Sequence, residues 1–183
     1  MTGVRVEDEI TGEHFNIRSR VVIAAAGIWT DEVLHMVDAE APDRVQQSKG
    51  VHLVVRGEAI RSTTAIIART PASVLFLLPW GGDWIVGTTD TAREPSESLA
   101  DPEATEDEIS YLLGQANRWL ARPLRREDVI GTYAGYRPLV AEESAEATTQ
   151  VSREHMIFHP VPGLVAIAGG KYTTYRVMAE DAV

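Results

Sequence analysis

The sequence predicts an α/β fold whose main part is a mostly antiparallel sheet covered by helices. Residues 48–91 contain four apolar runs separated by Gly, Pro and Ser, a pattern typical of consecutive antiparallel strands. Residues 105–120 place apolar side chains at helical spacing behind a capping sequence. Residues 20–27 form an uninterrupted apolar run, which indicates a buried strand of a parallel sheet. The chain therefore combines a larger antiparallel part with pieces of a second, parallel-sheet domain.

Composition limits the classes of function. The chain has 183 residues, of which 44% are hydrophobic, a formal net charge of −10 and no cysteine. The diffuse acidic excess argues against a nucleic-acid-binding surface, which needs clustered Lys and Arg. Without cysteine there is no disulfide, thiolate nucleophile or cysteine-ligated metal, and we predict no metal site. Neither a signal peptide nor a membrane-spanning run is recognisable, so we expect a cytoplasmic location.

The first 44 residues predict a hairpin, a strand and a short helix. Residues 3–8 and 13–18 alternate apolar and polar side chains around a Thr-Gly pair, which favours an antiparallel hairpin. The apolar run that follows should be buried on both faces and end at Gly27. Thr30 is expected to cap the next helix, which stops before Pro42.

The strands of residues 48–91 place two kinds of side chain on opposite faces. In the segment VHLVV, a period of two puts Val51, Leu53 and Val55 on one face and His52 on the other. Farther along, Trp80-Gly81-Gly82-Asp83-Trp84 predicts a tight hairpin, because its glycines tolerate positive φ.

The second half continues with a loop, a helix and further strands. Residues 92–104 are polar and predict a surface loop, and a capping box formed by Thr105 and Glu108 opens a helix that reaches about Leu120. Strands are predicted in DVIGTYAGY, HMIFHP and LVAIA, and a last helix is predicted from Thr173. The apolar face of the 106–120 helix comprises Ile109, Leu112, Leu113, Ala116, Trp119 and Leu120. Both chain ends fall inside predicted structure, so we expect the chain to be the central part of a longer protein.

Three segments break apolar strands with glycines and polar residues and are candidates for a site: 49–52, 133–138 and 169–175. Each has a simpler structural interpretation. His52 can be a half-buried histidine with satisfied hydrogen bonds, Arg137 a surface ion-pair partner, and the Gly169-Gly170 segment a capped strand-to-helix turn. Physical reasoning from these residues alone leaves both interpretations open.

Taken together, the segments carry a family resemblance. Their order along the chain is VVIAAAGIWTDEV, SKGVHLVV, LFLLPW, IVGTTDT, TYAGYRPL, VSREHMI and LVAIAGGKYTTYRVMAEDAV. This series resembles FAD-dependent glycerol-3-phosphate dehydrogenases over almost the whole chain. One departure is Tyr172, which stands where Leu is commoner in the family.

The resemblance implies oxidation of sn-glycerol 3-phosphate to dihydroxyacetone phosphate, by hydride transfer to FAD with a quinone as electron acceptor. It assigns His52 and Arg137 to catalysis and substrate binding, and it leaves open which of the two is the base. Lys171 would bind the substrate and the flavin edge. Gly27, Gly169, Gly170, Lys171 and Thr173 would contact the cofactor.

The resemblance also implies a division into domains. Residues 1–44 and 164–183 would belong to a Rossmann-like FAD-binding domain, and residues 45–163 to the substrate-binding domain. The sequence contains no GxGxxG motif, the usual pyrophosphate site. The resemblance further leads us to expect a phosphate-binding arginine upstream and a helical domain downstream of these residues. We therefore expect this chain alone to be inactive and to hold no FAD.

Two alternatives to the dehydrogenase remain. One is an oxidase of the same architecture, acting on glycerol phosphate or on an amine or amino acid. The other is a non-catalytic interaction module, in which His52, Arg137 and Lys171 would lie far apart. For the parent protein the resemblance implies peripheral association with the inner face of the cell membrane. For the chain itself we expect a homodimer through exposed apolar faces.

Overall fold

The computed structural model describes residues 1–71, 73–140 and 154–183. The strands are β1 Gly3–Glu7, β2 His14–Arg18, β3 Val22–Ala24, β4 Val45–Val55, β5 Ile66–Arg69, β6 Val74–Trp80, β7 Asp83–Gly87, β8 Thr91–Ala92, β9 Val129–Val140, β10 His155–Phe158 and β11 Leu164–Gly169. The helices are α1 Thr30–His35, α2 Glu106–Asn117 and α3 Tyr175–Ala182. The mixture of antiparallel sheets and helices confirms the predicted fold class.

Contacts group the described residues into two units, which are residues 1–46, 138–140 and 154–183, and residues 47–71 and 73–137. The predicted boundaries were 44/45 and 163/164. The grouping differs because β9 continues into the first unit and β10 pairs with β11 there. Residues 141–153, including the start of the VSREHMI motif, lie outside the described residues.

The first unit contains the predicted hairpin and a three-stranded sheet. Strands β1 and β2 form the predicted antiparallel hairpin, in which Gly3 lies opposite Arg18. The sheet has the order β10-β11-β3, and β3 runs parallel to β11. The prediction that the 20–27 run is buried on both faces is wrong, because β3 is an edge strand and Ile23 is 50% exposed.

Capping of two helices also differs from prediction. The first α-helical residue is Thr30, whose hydroxyl donates to the carbonyl of Gly27 at 2.8 Å instead of accepting from a helix amide. A 3-10 turn, Tyr172–Thr174, precedes α3, so the capping position falls on Thr174 and not on Thr173. In both places a tight turn inserted between strand and helix moves the helix start along the chain.

The second unit is built on an antiparallel sheet with the order β5-β6-β7-β4-β8, in which β9 also pairs with β4. The β6–β7 hairpin turns at Gly81 and Gly82, whose φ angles are +61° and +97°, as the sequence predicts. Helix α2 begins with the predicted capping box of Thr105 and Glu108.

The core of the second unit lies between the sheet and α2. Val51, Leu53 and Val55 are fully buried on the same face of β4, and α2 contributes Leu112, which is also fully buried. Trp119 was predicted on this apolar face but is 55% exposed, because α2 ends at Asn117 and the chain turns away from the helical spacing. Among the helices that the structure describes, none is long and apolar enough to cross a membrane.

Candidate active site

His52 lies on the sheet face opposite to the core. Its neighbours on β4, Val51 and Leu53, are fully buried beneath α2, so strand alternation directs the imidazole to the other face. There the ring stacks on Tyr133 of β9, with centroids 4.8 Å apart and planes 8° apart. The half-buried imidazole is thereby fixed between two strands.

Gly87 makes room for this imidazole. It is paired with His52 across β4 and β7. A Cβ atom added at Gly87 would lie 2.8 Å from Cγ of His52 and 3.0 Å from the carbonyl oxygen of Val51. Any side chain at this position would therefore displace the ring.

Arg137 lies on the same face of the second unit. Its Nη1 donates to the carbonyl oxygen of Thr89 at 3.3 Å, and its Nη2 donates to the Thr88 hydroxyl at 3.0 Å. The Thr89 hydroxyl accepts from the amide of Val51 at 2.9 Å, which ties this segment to β4. The arginine is held by the chain that follows β7 rather than extending freely into solvent.

A second glycine accommodates the guanidinium. A Cβ atom added at Gly50 would lie 2.7 Å from Cζ and 2.8 Å from Nη1 of Arg137. Gly50 and His52 are two residues apart on one face of β4, a spacing of roughly 6–7 Å along a strand. The guanidinium over Gly50 and the imidazole therefore occupy adjacent places on the open sheet face.

The surroundings of His52 favour its neutral form. Burial lowers the pKa of the imidazole below its ordinary value, and the positive charge of Arg137 lowers it further. At neutral pH the site presents an uncharged base next to a permanent cation. Such a pair can accept a proton from a hydroxyl and stabilise the negative charge left on its oxygen.

An ion cluster lies on the opposite, core-side face of the same strands. Lys49 is only 3% exposed, and its ammonium donates to Glu97 and lies 3.2 Å from Glu108. The hydroxyl of Tyr136 donates to the other oxygen of Glu97 at 3.1 Å. Sequence patterns did not predict this cluster, although Lys49 shares the strand alternation of buried Val51, which indicates a buried charge.

The first unit holds the predicted cofactor-contacting glycines. Because β3 and β11 are parallel, Gly27 follows the carboxyl end of one strand and Gly169-Gly170 end the other. Their φ angles are +59°, +75° and +77°. A Cβ atom at Gly169 would lie 2.8 Å from Val140, and one at Gly170 would lie 2.7 Å from Met178. Glycine is therefore required at both positions.

Lys171 and Thr173 are exposed residues between β11 and α3. The carbonyl of Lys171 accepts from the Thr174 hydroxyl at 3.0 Å and from the Thr174 amide at 2.9 Å, which closes the turn. Of the predicted site residues, His52 and Arg137 thus come together in the second unit. Gly27, Gly169, Gly170, Lys171 and Thr173 belong to the first unit.

Comparison with known proteins connects this geometry to a family. The family described as FAD dependent oxidoreductase matches residues 1–176. A glycerol-3-phosphate dehydrogenase of Mycobacterium leprae is 51% identical over 181 residues, which cover 99% of this chain and 30% of the relative. This chain thus spans about a third of that relative's length.

Two solved structures have the same fold. The glycerol-3-phosphate dehydrogenase from Bacillus halodurans, complexed with FAD, is 32% identical with a TM-score of 0.83, and the match covers 98% of this chain and 34% of that one. The L-alpha-glycerophosphate oxidase from Mycoplasma pneumoniae is 19% identical with a TM-score of 0.63, covering 99% and 48%. The second likeness concerns the fold alone. The matched family, the ordered motifs and the shared fold together establish that this chain belongs to the FAD dependent oxidoreductase family.

Proposed function

We propose that the protein containing this chain oxidises sn-glycerol 3-phosphate to dihydroxyacetone phosphate, with FAD as its cofactor. The observation that carries the proposal is the paired placement of His52 and Arg137 on the open sheet face, each seated against a glycine. The 51% identity to a glycerol-3-phosphate dehydrogenase supports the choice of substrate.

The residues of the first unit fit a nucleotide cofactor. In open α/β sheets, ligands bind outside the carboxyl ends of parallel strands, where Gly27, Gly169 and Gly170 lie. Apart from its two chain neighbours, no atom of the described residues lies within 4 Å of a Cβ atom placed at Gly27, so its turn faces open space. Exposed Lys171 is a cation suited to an electron-rich flavin edge. When bound, FAD supplies the acceptor for the hydride from C2 of the substrate.

The two residues of the second unit have distinct roles. His52 receives the proton of the C2 hydroxyl, because its lowered pKa keeps the imidazole neutral at physiological pH. Arg137 holds the C2 oxygen and stabilises the charge that develops there, since a guanidinium stays protonated throughout. We therefore propose His52, rather than Arg137, as the base. Lys171 is proposed to contact the substrate as well as the flavin.

The electron acceptor is proposed from the family resemblance to be a quinone. Peripheral attachment to the inner face of the cell membrane follows from that choice, because quinones reside in the bilayer. The oxidase alternative uses oxygen instead. Reoxidation of the reduced protein by a soluble quinone under argon, compared with reoxidation by dissolved oxygen, distinguishes the two acceptors. Faster turnover with oxygen would reject the quinone.

The interaction-module alternative predicts scattered polar residues. His52 and Arg137 instead share one face of one sheet, held by hydrogen bonds and stacking. Lys171 belongs to the other unit, so only His52 and Arg137 bear on this alternative.

Self-association of the chain is also proposed. Its support is the exposure of apolar side chains in the first unit, such as Val21 at 53% and Val177 at 53%. Sedimentation velocity at several concentrations should show a dimer, and a strictly monomeric chain would refute this expectation.

Substrate choice is tested with a panel of reductants. The whole protein, assayed with a soluble quinone, should turn over glycerol 3-phosphate and show little activity with sarcosine or proline. An amine-oxidising relative instead needs a residue that binds the carboxylate of its substrate. Higher activity with sarcosine or proline than with glycerol 3-phosphate would mean that the assigned substrate is wrong.

A further inference from the structure

We propose that the cluster formed by buried Lys49 with half-buried Glu97, Glu108 and Tyr136 is a positioning device that sets the place of Arg137 relative to His52. This inference depends on the proposed function for its kinetic meaning. Its structural content, that the cluster fixes β9 against β4, can be tested without substrate.

The cluster joins both strands that carry the site. Lys49 on β4 is adjacent to Gly50, against which the guanidinium lies. Tyr136 on β9 is adjacent to Arg137 itself. Because neighbouring residues of a strand point to opposite faces, Lys49 and Tyr136 meet on the core side, directly behind the pair on the open face.

A single carboxylate adds a side-chain link between these two paired strands. Glu97 accepts from the Lys49 ammonium through one oxygen and from the Tyr136 hydroxyl through the other, the latter at 3.1 Å. Glu108 of α2 lies 3.2 Å from the same ammonium and also accepts from the Thr105 amide at 3.0 Å. The surface loop is thereby anchored beneath the sheet and bridges β4 to β9.

Lys49 and Glu97 form an ion pair. Burial alone would lower the pKa of Lys49, but bonding to Glu97 and Glu108 outweighs it and raises the pKa. Burial alone would raise the pKa of Glu97, yet the hydrogen bonds from Lys49 and from the Glu94 amide lower it. Burial, followed by the hydrogen bond to Glu97, raises the pKa of Tyr136 and keeps its hydroxyl a donor. Charge-assisted bonds of this kind are short and directional.

Tyr136→Phe removes only the link to β9 and leaves the ion pairs of Lys49 in place. We expect kcat/KM for glycerol 3-phosphate to fall about tenfold, because a sub-ångström displacement of Arg137 would remove much of the rate enhancement that comes from orienting the substrate. The matched control is Tyr111→Phe, which loses one 3.5 Å contact to Thr70 elsewhere in the same unit and should stay within about twofold of wild type.

A pH readout separates positioning from general loss of stability. The charged and titratable groups that face His52 are Arg137 and Tyr133, both on β9, while β7 presents Gly87. If β9 loosens, the imidazole becomes more hydrated and more distant from the guanidinium, so its pKa rises. The midpoint of the acidic limb of kcat/KM should rise in Tyr136→Phe and stay unchanged in Tyr111→Phe.

The deciding experiment measures the His52 imidazole pKa by histidine-selective NMR of the whole protein, with His52→Gln providing the assignment. A higher pKa in Tyr136→Phe than in Tyr111→Phe is the expected result, and equal values would overturn the proposal. Glu97→Gln serves as a second variant and should shift the pKa in the same direction. If the wild-type protein holds flavin but ignores glycerol 3-phosphate, the proposed function fails, while the NMR comparison still decides the positioning role.

Discussion

Gly50→Ala should lower the rate of flavin reduction strongly and change the free energy of unfolding little. The new Cβ atom would lie 2.7 Å from Cζ of Arg137, whereas carbon atoms in favourable contact are about 3.5–4.0 Å apart. The guanidinium must therefore move by about 1 Å. A misplacement of that size costs roughly 100-fold in rate, equivalent to about 2.7 kcal/mol of transition-state free energy. Because the guanidinium ends a long side chain, it can shift by this distance while the backbone stays in place, so the free energy of unfolding should change by no more than about 1 kcal/mol.

The assay is the anaerobic rate of flavin reduction in the whole protein, with thermal melting measured in parallel. Gly131→Ala on β9 is the matched control, because its Cβ atom would meet Val54 at an ordinary distance of 3.8 Å. The control should react at the wild-type rate. If Gly50→Ala also keeps its rate within twofold, Arg137 is not a precisely placed clamp and the argument from this glycine is refuted.

Three further predictions concern titration, stability and cofactor retention. The folded-state pKa of His52 is lowered by burial and then by Arg137, so kcat/KM should hold its plateau below the ordinary histidine value of about 6.5 and fall only at more acidic pH. Lys49→Met should lower the free energy of unfolding by about 1–3 kcal/mol in urea denaturation, because it leaves the half-buried carboxylates of Glu97 and Glu108 without their buried partner. The purified 183-residue chain should be colourless after incubation with FAD, since it lacks the usual pyrophosphate-binding turn.

Each of these three predictions would be contradicted by a specific result. An acidic limb centred above about 6.5 would mean that His52 is not the titrating base. The control for Lys49→Met is Lys171→Met, at an exposed lysine, which should change the free energy of unfolding by no more than about 0.5 kcal/mol. If Lys49→Met changed it equally little, the cluster around Lys49 would not be an ion network. Stoichiometric yellow colour in the chain alone would show that its own glycines suffice to retain FAD.

Local patterns predicted the elements that depend on neighbouring residues. The Trp80–Trp84 hairpin follows from two consecutive glycines, and the start of α2 follows from Thr105 and Glu108 three residues apart. Strand alternation also placed His52 opposite the core. These features are determined within a few residues, so a sequence read in short windows contains them.

Long-range features were beyond such patterns. Glu97 is 48 residues from Lys49 along the chain, and the polar composition of its loop does not indicate which buried cation its carboxylate contacts. Arg137 is bonded to Thr88, 49 residues away. Periodicity likewise extended α2 to the exposed Trp119, because spacing alone does not reveal where a helix ends. The positions of His52 and Arg137 were predicted from family motifs, and their shared face became apparent only from the fold.

The central claim is that His52 and Arg137 act together in the proposed oxidation of glycerol 3-phosphate. Its most direct test is to add glycerol 3-phosphate anaerobically to the flavin-loaded whole protein and follow the absorbance near 450 nm, roughly where oxidised flavins absorb. We predict rapid bleaching in the wild-type protein and a loss of at least about 100-fold in rate in His52→Ala and in Arg137→Ala, both with flavin retained. A flavin-loaded wild-type protein that does not bleach, or variants that bleach at the wild-type rate, would contradict the account.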